Sequence, residues 1–292
     1  MPLFQERKNA TSLDQFVSFN RITDVMRMPL SDPVKEGLRG DIKGHVVHLQ
    51  ATGRNPMEGG LNVNHILSDP EGQLYVWRVP KDNPSMSTQI AEEFSQTGFL
   101  SSGGHYRFRT PQEQVRFMEN TAQLDLKCFT PLHTDGDKIL LPFIYGIPFD
   151  VYLKQGGIAA SFNALNNLHR SHELNVVYGD RWVKNTMVIA DEDIIELDFD
   201  IELQGSYAKE FELAQTLYHM LHFSIDRTQM LGFLSSYYKN NLPLQKYDIA
   251  QIQEFLRNYA NYFQDTEYEG ISGGVQEEVA ELIKTFGVCV RR

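Results

Sequence analysis

The sequence predicts an α+β protein in two lobes, a strand-rich first part built on an antiparallel sheet and a mostly helical second part. Three observations carry this. Apolar and β-branched runs crowd between residues 45 and 146 and are punctuated by turn residues. From about residue 157 the apolar positions recur at the three- and four-residue spacing of helices. Strands and helices are segregated along the chain, which argues against alternating βαβ units. The 292 residues suffice for one large domain or two modest ones. The expected divisions are an N-terminal extension at 1–44, a first lobe at 45–146 and a second at 147–292, with the boundary near Gly146.

Residues 12–28 carry a helical pattern after an N-cap at Ser12, and Pro29, Pro33 and Gly37 mark a loop after it. HVVHLQAT, VNHILS and QLYVWRVP read as three antiparallel strands, with SDPEG as the turn between the last two. A mixed stretch leads to RTPQEQVRFMENTAQLDL, a helix with Thr110 as N-cap and Pro111 in its first turn. Two more strand-like pieces follow, the second being KILLPFIYG. IAASFNALNNLHRSH reads as a helix. The interruption after it, VVYGD, NTMVI and IIELDFD, reads as a tight β-type hairpin. AKEFELAQTLYHMLHF, DRTQMLGFLSSYYKN, DIAQIQEFLRNYANYF and VQEEVAELIKTF complete the expected helices.

Lys and Arg number 27 against 38 Asp and Glu, a formal charge of -11. That balance disfavours nucleic acid and anionic membrane surfaces as partners. Two cysteines, Cys128 and Cys289, are too few for a disulfide framework and lack zinc-type spacing. A reducing, cytoplasmic location is expected. MPLFQERKNATSL has no long apolar run, so no signal peptide is expected, and no stretch approaches the length of a membrane span. Oligomeric state leaves no mark in the sequence.

The chemistry concentrates in Tyr178-Gly179-Asp180-Arg181-Trp182-Val183-Lys184-Asn185 and the later Leu197-Asp198-Phe199-Asp200. Two carboxylates and an amide brought together by a hairpin suit phosphoryl transfer. That reaction uses a carboxylate beside the attacking hydroxyl and hard oxygen ligands that leave room on a magnesium ion for phosphates. Turn residues with satisfied local hydrogen bonds are the plain alternative. Gly59-Gly60-Leu61-Asn62 joins strands and lets backbone N–H groups approach an anion closely, or is an ordinary turn. Neither a GxxxxGK[ST] nor a GxGxxG fingerprint occurs.

LHRSHELNVVYGDRWVKN followed by IIELDFD resembles the protein-kinase-like superfamily, in particular its aminoglycoside and choline phosphotransferase branch, whose members carry an LH…HGDLxxxN…IDF run. The resemblance covers roughly residues 45–220. It implies a kinase-like fold, ATP and Mg2+ as cofactors, a small-molecule acceptor and phosphoryl transfer to a hydroxyl. Asp180 would be the catalytic base, with Asn185 and Asp198 as metal ligands. It further implies Gly59, Gly60 and Asn62 over the nucleotide phosphates and Arg78 beside them. Glu113, or Glu119 failing that, would pair with Arg78. Pro142, Phe143 and Ile144 would form the adenine-binding hinge. Amines and amino-alcohols are frequent substrates of that branch; sugars, nucleosides and protein side chains stay open.

The chain departs from the family pattern in several places. Tyr178 stands where the branch usually has His, and Asp200 where protein kinases have the Gly of DFG. Arg181 and Lys184 are candidates to contact the transferred phosphoryl group, or are solvent-facing charges. Arg78 replaces the usual Lys, with Lys81 a weaker substitute, and this opens two other readings: a nucleotide-binding pseudokinase acting as a scaffold, and an atypical protein kinase. Gly270-Ile271-Ser272-Gly273-Gly274 matches G-x-S-x-G, but no His follows Ser272, against a serine hydrolase. His219 and His222 share a helix face without an HExxH or carboxylate set, against a metal hydrolase.

Overall fold

The computed structural model describes residues 38–42, 45–51, 57–241, 243–264 and 274–289. The helix expected at 12–28 and residues 270–273 of the G-x-S-x-G match lie outside the described residues. In chain order the elements are β1 (Leu38–Ile42), β2 (His45–Ala51), β3 (Met57–Glu58), β4 (Asn62–Ser68), β5 (Leu74–Pro80), α1 (Pro84–Gln96), β6 (His105–Phe108), α2 (Pro111–Gln123), β7 (His133–Asp135) and β8 (Lys138–Pro142). There follow β9 (Ile147–Pro148), α3 (Phe149–Lys154), α4 (Ala160–Glu173), β10 (Thr186–Val188), β11 (Ile194–Glu196), β12 (Ile201–Gln204), α5 (Ala208–Phe223), α6 (Arg227–Asn241), α7 (Ile249–Tyr262) and α8 (Gln276–Cys289). Tertiary contacts divide the chain into two compact units: the described residues through Thr88 with Arg109–Tyr145, and Gln89–Phe108 with the described residues from Gly146 onward.

The first unit is an antiparallel sheet in the order β1-β2-β4-β5-β8-β7, with β3 paired to β4. Alternation builds its core. Tyr75 and Trp77 of β5 are buried with Leu67 of β4, Leu140 of β8, Leu49 and Leu132, and Val79 packs on them. The SDPEG turn forms as read: Asp69 Oδ1 accepts from Gln73 N at 2.8 Å, and Gly72 takes the left-handed φ of +84° that a side chain resists. Helix α2 opens on a complete capping box. Glu113 N donates to Thr110 Oγ1 at 3.3 Å while Thr110 N donates to Glu113 Oε2 at 2.8 Å. The sheet starts at Leu38, ahead of the boundary expected at 45, because β1 pairs along β2.

The second unit surrounds α5, which is buried along almost its whole length, as a helix apolar on most faces must be. Helices α7, α3 and α6 pack on it. Residues 89–108, expected in the strand-rich part, belong to this unit. Phe94 and Phe99 lie 5.3 and 4.5 Å from Phe211 of α5, ring centre to ring centre, and β6 pairs with β12. Sequence reasoning passed over α1 in this stretch. Its signals are Asn83, whose Oδ1 accepts from Met86 N at 3.3 Å, Pro84 in the first turn, and Ile90 and Phe94 four apart. The hairpin expected over VVYGD, NTMVI and IIELDFD exists only as β10–β11. Residues 176–180 are irregular, because their backbone groups bond to helix atoms and side chains: Val176 N donates to Ser171 O at 2.8 Å and Gly179 N to Glu212 Oε1 at 2.7 Å. Gly146 approaches this hairpin so closely that a Cβ would lie 2.4 Å from Val188 O.

Antiparallel strands followed by helices is the α+β element order that the sequence led us to expect. Among the described residues no helix is long and apolar enough to cross a membrane.

Candidate functional site

In the first unit, Arg78 sits on β5 opposite Asn64 of β4 and Ile139 of β8, on the sheet face away from Trp77. It is buried, not the solvent-facing strand residue that sequence alone allowed. Gly59 and Gly60 link β3 to β4, with Gly59 N donating to the carbonyl of Asn62 at 2.8 Å. Asn83 Nδ2 donates to Gly60 O at 2.8 Å, and a Cβ at Gly60 would come within 2.8 Å of Met86 Cε. The glycine turn is thus tied to the start of α1, and a side chain at Gly60 would have to push the Met86 side chain aside. Asn62 itself is buried. Glu113 has its carboxylate in the capping box; Glu119 is exposed. Pro142 ends β8 opposite Tyr75, and Phe143 stacks edge-on to Tyr145 at 5.1 Å. Of the three residues expected to form a hinge, Phe143 and Ile144 carry an N–H, whereas Pro142 offers only its carbonyl.

In the second unit, polar residues on the buried face of α5 read the 179–182 segment in order. Glu212, Gln215 and His219 recur at spacings of three and four and therefore line one stripe. Glu212 Oε1 accepts from Gly179 N at 2.7 Å. Gln215 Oε1 accepts from Arg181 N at 2.6 Å, and its Nε2 donates to Asp180 Oδ1 at 2.7 Å. The His219 ring lies 4.2 Å from the Trp182 ring. Gly179 itself takes φ +122°, outside the range of side-chain-bearing residues. His172 Nε2 lies 2.6 Å from the other oxygen of Glu212, which fixes that carboxylate in turn.

Asn185 closes a single 3₁₀ turn, Val183–Asn185. Its Nδ2 donates to Asp180 O at 3.0 Å, which turns its Oδ1 the other way as a hard oxygen donor. Leu197 N donates to Asn185 O at 2.7 Å, so the segment entering Asp198 is sewn to this turn. Asp198 has a left-handed backbone, φ 56°, tolerated by Asp more than by most residues. Arg181 holds it there. Its Nη2 donates to Leu197 O at 2.9 Å and Asp198 O at 2.6 Å, and its Nη1 pairs with Glu196 Oε2 at 2.9 Å. Arg181 is only 4% exposed, so it is neither a phosphoryl contact nor a solvent-facing charge: burial turns its guanidinium onto strand-end carbonyls. Lys184 is exposed, with its ammonium 4.6 Å from the centre of the Trp182 ring.

Burial pushes the Asp180 carboxyl up. Arg181, the Gln215 hydrogen bond and Lys184 pull it down, and Asp198 pushes it up again. Glu93 of α1 rises too, from burial first and then from the Asp180 charge. Its Oε1 accepts from Tyr259 Oη at 2.9 Å, Gln215 Nε2 at 3.1 Å and Trp182 Nε1 at 3.3 Å. Sequence reasoning missed Gln215, Glu93, Glu196 and Glu212. The α5 stripe was detectable as polar residues at helical spacing inside an apolar helix. Glu93 left no such trace.

The residues fit a magnesium ion by donor chemistry. Asn185 Oδ1 and the Asp198 carboxylate are two hard oxygens, and magnesium keeps most of its shell for phosphate and water. Among the described residues no group of three His, Cys, Asp or Glu could hold a metal by itself. His219 and His222 are buried among aromatic rings, Tyr218 and Phe223 included.

No family model matches the chain, and no curated protein does. Among solved structures, the Rio2 kinase–ADP/Mg2+–phosphoaspartate complex from Chaetomium thermophilum is similar over 96% of this chain and 74% of its own, at 11% identity and a TM-score of 0.39. The Rio2 kinase structure from the same organism is similar over 96% and 76%, at 9% identity and a TM-score of 0.40.

Proposed function

We propose that the protein is a magnesium- and ATP-dependent phosphotransferase that moves the γ-phosphoryl group to a hydroxyl of a small molecule, with an amine-bearing acceptor as in the aminoglycoside and choline phosphotransferase branch. The observation that carries this reading is the loop cluster of the second unit. Asp180 is oriented by Gln215, Asn185 has its amide nitrogen tied to the Asp180 carbonyl, and Asp198 is anchored through its own carbonyl by Arg181. A half-buried base next to two hard oxygens is the set that phosphoryl transfer uses.

In this reading Asp180 orients the acceptor hydroxyl and takes its proton. A new oxygen–phosphorus bond forms to the γ-phosphorus, the bridging β–γ bond breaks, and ADP leaves. Asn185 and Asp198 would hold magnesium, which supplies charge neutralisation to the phosphates. In the first unit Arg78 pairs with phosphate charge, Gly59, Gly60 and Asn62 present backbone and amide donors, and 142–144 receive adenine. Glu113 stays a candidate partner of Arg78.

One observation favours a second reading: Arg78 stands where the family has Lys, as in pseudokinases that bind nucleotide and act through protein contacts. ATP consumption with magnesium, measured against a panel of small hydroxyl compounds and generic proteins, separates the two. Turnover that needs magnesium and a small acceptor supports the phosphotransferase; turnover on proteins supports an atypical protein kinase. ATP binding with neither turnover nor magnesium dependence supports the scaffold.

A further inference from the structure

We infer that Gln215 is a positioning residue that sets the orientation of the Asp180 carboxylate, with Glu93 holding the Gln215 amide in place. The inference rests on the role proposed for Asp180.

The Gln215 amide has one orientation consistent with its partners. Arg181 N is a donor and lies 2.6 Å from Oε1, so oxygen must occupy that side. Nε2 then faces two carboxylates, Asp180 Oδ1 at 2.7 Å and Glu93 Oε1 at 3.1 Å, and gives one hydrogen to each. One acceptor and two donors are all used, and Gln215 has no exposed surface. Asn would fall one methylene short. Glu would add a third carboxyl beside the two already there.

Glu93 has no part in the phosphotransfer scheme. A buried Glu93 beside a half-buried Asp180 is an expensive arrangement unless hydrogen bonds offset it. Glu93 meets that demand through Tyr259, Trp182 and Gln215. The consequence falls on Asp180: its Oδ1 is committed to Gln215, and Oδ2 is left as the oxygen that meets the acceptor hydroxyl. A carboxylate with one oxygen pinned has one orientation to offer, which is how a general base is held in line.

The test is Gln215→Met, close in volume and without hydrogen-bonding atoms. Crystal structures of the variant and of the wild type show where the Asp180 carboxylate points. Without Gln215 Nε2 the carboxylate is expected to leave its wild-type rotamer or to occupy more than one. With a working acceptor, kcat should fall about 10²-fold while KM for ATP stays within about twofold. If Gln215→Met does not fold, Gln215→Asn carries the same measurements. An Asp180 carboxylate that keeps its wild-type rotamer in the variant overturns the inference, whether or not either protein turns over ATP. A turned carboxylate with no turnover by the wild type leaves the inference standing and sinks the phosphotransferase reading alone.

Discussion

Arg181→Met is expected to destabilise the second unit heavily, and the structure sets the scale. The guanidinium is paired with Glu196 and bonded to the carbonyls of Leu197 and Asp198, and both charged side chains are only 4% exposed. Removing the cation leaves Glu196 buried with only Thr186 Oγ1 at 2.8 Å and Asn167 Nδ2 at 3.3 Å. Breaking one side of a buried pair costs roughly 3–5 kcal/mol. For a protein of this length that lowers the melting temperature by on the order of 10 °C. The double variant Arg181→Met/Glu196→Leu removes the stranded charge and should lose about 1–3 kcal/mol less than the sum of the single variants. Urea unfolding followed by circular dichroism reads all of these. A single variant within about 1 kcal/mol of wild type, or losses that add within about 0.5 kcal/mol, would refute the claim that this pair holds the Asp198 turn.

Asp180→Ala should cut turnover by about 10²–10⁴-fold or more and leave nucleotide affinity nearly intact, checked by steady-state kinetics and calorimetry. Burial, and then the neighbouring His172, lower the His169 pKa from 6.5 to about 3. The unfolded chain therefore binds a proton that the fold refuses, and stability present above pH 6.5 is lost as pH falls from there towards 3. His169→Gln should show a smaller drop in urea midpoint between pH 7 and pH 5 than wild type. Gly146→Ala should destabilise by roughly 1–3 kcal/mol, because the added carbon meets the backbone oxygen of Val188, which has no rotamer to escape into; a melting curve measures it.

Elements whose signal lies in local chemistry were legible from sequence. Thr110 and Pro111 start α2, Asp69 and Gly72 turn β4 into β5, and helices α5 to α8 fall where the apolar spacing put them. That Asp180, Asn185 and Asp198 lie close together was legible because one hairpin joins them; the roles expected of them came from the family resemblance. What escaped depends on contacts far apart in sequence. Glu93 meets Tyr259 across 166 positions, and nothing near Glu93 announces it. Residues 89–108 read as part of the strand-rich stretch because β6 finds its partner only in β12. Segment 176–180 was read as a strand from its valines, whereas its backbone is bonded by Ser171 and Glu212 instead of a neighbouring strand.

The most direct test of the central claim is calorimetric titration of ATP into the wild type and Asp198→Ala, each with and without magnesium. The account predicts tighter ATP binding with magnesium in the wild type, and loss of that gain in the variant. Equal affinity in all four titrations would contradict it.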